Sequence, residues 1–158
     1  MTEPNSEFMR EAIAQSLEGM RHGHGGPFGA VIVKDGTIIA RGHNRVLTSN
    51  DPTAHAEVSV IRDACQQLQS FQLDGCELYT SCEPCPMCLG AIYWSRLDRV
   101  YYGNTKVDAA AAGFDDQFIY DELAVSMGDR QLPMKPFLRE EAQSAFQEWI
   151  EKSDKTPY

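Results

Sequence analysis

No apolar run in this chain approaches the ~18–20 residues that a membrane-spanning helix requires. The opening Met1-Thr2-Glu3-Pro4-Asn5 lacks a basic stretch followed by an apolar core, so no secretory signal is expected. The chain is read as cytoplasmic, with no membrane partner. Positive charge is also scarce, with 14 Lys and Arg against 23 Asp and Glu and a formal net charge of -9. Residues 1–107 hold 9 basic against 12 acidic side chains (-3), and residues 108–158 hold 5 against 11 (-6). Nucleic-acid binders neutralise phosphates with a basic face, so the expected ligand is a small molecule and no nucleic-acid partner is expected. Repeats and low-complexity linkers are absent, and 158 residues with 42% hydrophobic content suit one globular domain over residues 1–158.

Five cysteines are present: Cys65, Cys76, Cys82, Cys85 and Cys88. The number is odd and no export signal is visible, which favours reduced thiols or metal ligands over a disulfide framework. Cys65 and Cys76 read as small buried hydrophobes.

Hydrophobic spacing predicts a helix over residues 6–20 capped by Ser6, then a Gly-rich loop, His22-Gly23-His24-Gly25-Gly26-Pro27. Strands over residues 28–34 and 37–42 flank an Asp35-Gly36 hairpin turn. Asp51-Pro52 reads as the cap and first position of a helix reaching Leu68. A strand over residues 77–81, a helix from about Cys85 to Ser95 and a strand over residues 99–102 follow. A helical turn near residues 109–112, a helix over residues 118–125 and a final helix over residues 140–152 complete the pattern. Residues 131–139 contain Pro133 and Pro136, so a strand there would be an edge strand. Alternating strands and helices imply an α/β fold: a three-layer α/β/α sandwich on a mixed five-stranded sheet.

The chemistry concentrates in two places, His55-Ala56-Glu57 and Pro84-Cys85-Pro86-Met87-Cys88. Two cysteines three apart at a helix start put both sulfurs on one face, where the helix N-terminus favours thiolate. With His55 they make three zinc ligands, and three protein ligands leave a tetrahedral ion one open position, the mark of a catalytic site. Zinc brings the pKa of a water in that position toward neutrality. Glu57, two residues from His55, is placed to carry protons. Cys82 opens an alternative, a closed structural site of His55 and three cysteines, which would leave Glu57 without a role. The pattern H-x-E with P-C-x-x-C is the signature of zinc nucleobase deaminases.

On these residues the chain resembles the cytidine-deaminase-like superfamily, and within it the bacterial guanine deaminases. Gly25-Gly26-Pro27-Phe28-Gly29-Ala30, Thr48-Ser49-Asn50-Asp51-Pro52-Thr53-Ala54-His55-Ala56-Glu57, the stretch from Tyr79 to Trp94, Gly113-Phe114-Asp115-Asp116 and the closing Tyr158 carry the likeness. The resemblance implies hydrolysis of guanine to xanthine and ammonia, in purine salvage or catabolism. It implies one zinc per chain on His55, Cys85 and Cys88, with Glu57 and Asp116 as catalytic acids or bases. Substrate contacts are implied at Phe28, Asn44, Ala56, Trp94 and Tyr158. It further implies a homodimer in which residues 140–158 are exchanged between chains. Competing readings are a guanosine deaminase, a tRNA adenosine deaminase and a non-catalytic zinc module.

Overall fold

A computed structural model describes residues 3–158. The chain divides into two compact units, Met1–Asp116 and Gln117–Tyr158.

The first unit opens with α1 (Ser6–Arg21), whose cap is Asn5 rather than Ser6: the Asn5 side chain accepts the Glu7 N–H at 2.9 Å. Strands β1 (Gly29–Lys34) and β2 (Thr37–His43) form the expected hairpin. Asp35 and Gly36 both adopt positive φ, 48° and 73°, the backbone that a tight two-residue hairpin turn demands. After the short α2 (Val46–Ser49), Asp51 does not cap a helix. Its carboxylate instead accepts from the Thr53 N–H at 2.8 Å and the Thr53 hydroxyl at 2.7 Å, closing a local turn. Helix α3 (Ala56–Leu68) therefore starts later than the Asp-Pro signal predicts, with His55 at its cap position. Strand β3 (Cys76–Cys82) leads to α4 (Pro86–Trp94), capped at Cys85 with proline at its first position. Strand β4 (Arg99–Asn104) precedes α5 (Lys106–Ala111), which opens on a capping box between Thr105 and Asp108.

The sheet order is β2-β1-β3-β4, with β1 antiparallel to both neighbours and β3 parallel to β4. The mixed sheet is as expected, but among the described residues it has four strands, not five. Residues 131–139 form no strand; Pro133 and Pro136 lack the N–H groups that a ladder needs.

Strand alternation sends side chains to two cores. Val31, Val33 and Tyr79 pack with Ala12 of α1 on one face. Ala30, Ile32 and Leu78 pack with Val60, Ile61 and Ala64 of α3 and Ile92 of α4 on the other. That second layer brings the starts of α3 and α4 to one end of the sheet.

The second unit contains α6 (Gln117–Ala124), a single 3-10 turn (Met127–Asp129) and α7 (Arg139–Glu151). Phe146, Trp149 and Ile150 recur at helical spacing on α7 and are exposed in the single chain. No helix among the described residues is long and apolar enough to cross a membrane.

Candidate active site

His55 and Cys85 occupy equivalent places, each at the cap position of its helix with extended backbone. Neither side chain caps its own helix, so both are free to converge. The imidazole Nδ1 lies 3.6 Å from Cys85 Sγ and 3.5 Å from Cys88 Sγ. The three donor atoms fall within 4.8 Å of one another.

This donor set fits zinc. Zinc–sulfur and zinc–nitrogen bonds of about 2.3 and 2.0–2.1 Å at a tetrahedral angle put N and S about 3.6 Å apart, which matches the separations in the cluster. The charge also fits. The Cys85 thiol is drawn down to about 4, first by a hydrogen bond from Cys88 and then by one from His55, so the cluster presents a thiolate. The same sharing pushes Cys88 upward and holds His55 above its ordinary value. Cys82 stands outside the trio. It is buried, its Sγ donates to the Thr105 carbonyl at 3.7 Å, and burial pushes its thiol up to about 11.

Glu57 is 5% exposed, an unusual burial for a carboxyl group. Thr80 donates to one of its oxygens at 3.1 Å, and the Cys88 thiol faces the other at 3.5 Å. Burial raises its pKa above the usual carboxyl range. Asp116 is half-buried, and its carboxyl is also raised, first by desolvation and further by the negative Cys85 sulfur.

Asn44 is buried, and its Oδ1 accepts the Val46 N–H at 3.1 Å, which leaves its NH₂ as the donor on offer. Gly25 packs so tightly on this side chain that any Cβ there would overlap Asn44 Oδ1. The Asn44 N–H in turn donates to the Phe28 carbonyl at 2.9 Å. Phe28 meets Phe114 edge to face, with centroids 4.9 Å apart and planes at 86°. The ring pair makes an apolar wall suited to a flat heterocycle.

Ala56 has its side chain fully buried in the core, so what it can offer is its backbone N–H at the start of α3. Trp94 lies at the far end of α4, nine residues or ~13 Å along the helix from Cys85, and is 64% exposed. The fold does not bring it to its own chain's cluster. Tyr158 is exposed and belongs to the second unit.

Two residues that hold the site are not announced by the sequence as site residues. Thr80 orients Glu57, and its only advance signal is strand alternation with Leu78 and Cys82. Phe114 supports Phe28, and its signal is its place in the Gly113-Phe114-Asp115-Asp116 turn.

A four-stranded mixed sheet with an imidazole and two thiols gathered at two helix starts, and a buried carboxyl beside them, defines a hydrolytic metal site of the deaminase type. Residues 2–104 match the cytidine and deoxycytidylate deaminase zinc-binding region, and the chain belongs to that family. It is 56% identical over 151 residues to the guanine deaminase of Bacillus subtilis, covering 96% of this chain and 97% of that one. An X-ray structure of guanine deaminase from Bacillus subtilis matches with a TM-score of 0.95 at 54% identity, over 99% of each chain. The tRNA-specific adenosine deaminase of Aquifex aeolicus is 43% identical over 95 residues, 60% of this chain and 62% of that one.

Proposed function

We propose that the chain is a zinc-dependent guanine deaminase, hydrolysing guanine to xanthine and ammonia. The observation that carries this reading is the length of the likeness. The match to guanine deaminase runs over 151 residues and so extends into the second unit, whereas the tRNA deaminase match spans 95. Residues 108–158 hold 5 basic against 11 acidic side chains, which opposes a tRNA-binding role.

His55, Cys85 and Cys88 would hold zinc, which supplies a water that gives up its proton near neutral pH. Glu57 takes that proton and delivers it to ring N3 of guanine as the water oxygen bonds to C2. The remaining proton, on the oxygen now bonded to C2, must reach the exocyclic amine before ammonia can leave, and Asp116 relays it. The C2–N bond then breaks, leaving a carbonyl at C2. The Asn44 NH₂ donates to an acceptor on the purine edge, and Phe28, backed by Phe114, covers its face. A panel of guanine, guanosine, adenine, cytosine and tRNA, read by ammonia release from zinc-loaded protein, should give product from guanine. Activity on tRNA with none on guanine defeats the reading.

The same reading includes a homodimer with residues 140–158 exchanged. The exposed Phe146, Trp149 and Ile150 on α7, and Leu89, Tyr93 and Trp94 on α4, support it as apolar surface left uncovered in one chain. Trp94 and Tyr158 then act at a site only through a second copy. Deleting residues 156–158 should leave fold and zinc in place and lower kcat/KM for guanine by at least about tenfold, since a closed lid excludes water from the site. Mixing truncated with Glu57→Gln subunits should restore activity above either parent, because one mixed site regains both parts. Mixed dimers no more active than their parents place the tail on its own chain or nowhere.

A further inference from the structure

Outside the zinc cluster, the histidines of the Gly-rich loop and of β2 meet. His24 Nδ1 lies 2.8 Å from His43 Nε2, and the two rings have centroids 5.0 Å apart and planes 28° from parallel. The other nitrogen of His43, Nδ1, faces Gln15 Oε1 at 3.4 Å, while the Gln15 amide donates to Glu11 at 3.2 Å. That order assigns the protons: His43 carries hydrogen on Nδ1, and its bare Nε2 accepts from His24 Nδ1–H. A first added proton leaves this bond intact, because the pair can still set one N–H against one bare nitrogen. A second, on His43 Nε2, sets two N–H groups against each other and breaks it.

The bond joins the two segments that carry the base-reading side chains. His24 precedes Gly25, on whose Cα the Asn44 side chain rests, and its carbonyl accepts the Leu47 and Thr48 N–H groups at 3.1 and 3.3 Å. His43 directly precedes Asn44 and is clamped from behind by Gly19 of α1, where a Cβ would collide with the ring. We propose that His24 and His43 are a positioning pair which fixes Asn44 and Phe28 for the purine, and that protonating both histidines releases this edge and weakens guanine binding in mild acid.

The surroundings agree with a pair that resists its second proton. Burial, then the charge of His24, lowers the His43 pKa; Glu18 of α1 opposes this, while Arg45 and His22 add to it. Arg41, Arg45, Arg62, Asp51 and Asp63 line the same cleft, with Arg41 tied to Glu11 and Arg62 to Asp51. The break therefore falls below the ordinary histidine value of about 6.5.

This inference rests on the reading of Asn44 and Phe28 as base contacts. In the zinc-loaded enzyme, KM for guanine should rise about tenfold between about pH 7.5 and pH 5, beyond any change in kcat. His24→Asn puts an amide where Nδ1 stood, which donates to bare His43 Nε2 and, turned over, accepts from it once protonated, so its KM should match wild type at neutral pH and stay flat into acid. His24→Ala should raise KM across the whole range with zinc content unchanged. A wild-type KM that is flat with pH, or an acid rise that persists in His24→Asn, overturns the proposal. NMR titration separates its failure from failure of the guanine reading: the Asn44 side-chain NH₂ signals should move with the histidine titration whether or not guanine is turned over. Asn44 signals that ignore the histidines overturn the coupling itself.

Discussion

Glu57→Gln should keep zinc and guanine binding while turnover falls by on the order of 10²–10⁴ or more, the loss expected when a general acid–base group is removed. The substitution suits the site. Glutamine keeps the volume of a side chain that is 5% exposed, and its amide oxygen can still accept the Thr80 hydroxyl that now holds Glu57 at 3.1 Å. What is lost is a group that can accept a proton and return it within one turnover. Asp116→Asn offers a contrast, because that side chain is only half-buried. It should lower kcat with little change in guanine affinity if it relays the second proton. Weaker affinity with kcat unchanged would recast it as a residue that recognises the base. Steady-state kinetics with zinc analysis checks both variants. Turnover near wild type in Glu57→Gln would falsify the route that carries the proton through this carboxyl.

Local spacing made much of the site legible, and the reason is geometric. Cys-x-x-Cys lies within one helical turn, so its two sulfurs share a face whatever the rest of the chain does. His-x-Glu is an i, i+2 pair that a helix would split between faces; His55 and Glu57 meet at Cys88 because His55 sits outside α3, at its cap position with extended backbone. The sequence pattern also foresees two helix starts facing each other, which is how His55 and Cys85 converge, although the strands that precede them, β2 and β3, lie on either side of β1 and are not neighbours. What stayed hidden depends on long-range pairing. Thr80 reaches Glu57 because α3 packs over the face of β3 that Thr80 shares with Leu78. Nothing near Thr80 in the chain announces that neighbour. The misplaced start of α3 has a local cause: Asp51 spends both its cap-like hydrogen bonds on Thr53, so the helix waits for His55. That delay matters, since a helix begun at Pro52 would carry His55 inside its first turn rather than at its tip. The absent fifth strand is the plainest error, because alternation suggested a strand where two prolines remove the ladder donors.

Cys85→Ser should abolish both zinc binding and deamination, while Cys82→Ser should keep about one zinc per chain and near wild-type turnover. The two cysteines lie three residues apart and both are substantially buried, yet their partners differ. Cys85 faces His55 at 3.6 Å and shares a proton with Cys88, whereas Cys82 donates to the Thr105 carbonyl. Serine is a fair test at each place for opposite reasons. At position 85 it is a preferred helix cap, so α4 should still start there, and loss of metal is not confused with loss of the helix. A serine hydroxyl stays protonated near neutral pH and supplies none of the negative charge that the thiolate brings to the ion. At position 82 the hydroxyl can still donate to Thr105, so the junction of β3 with the start of α5 should hold. Metal analysis, ammonia release and far-UV circular dichroism on both variants decide the matter. The Cys85→Ser protein should also melt at a lower temperature than the zinc-loaded wild type, by the amount that metal binding contributes to the folded state, and adding a chelator should then change it little. Release of zinc on Cys82→Ser would instead mean four protein ligands around the ion, a closed site with no position for the attacking water, and the hydrolytic reading would fall with it.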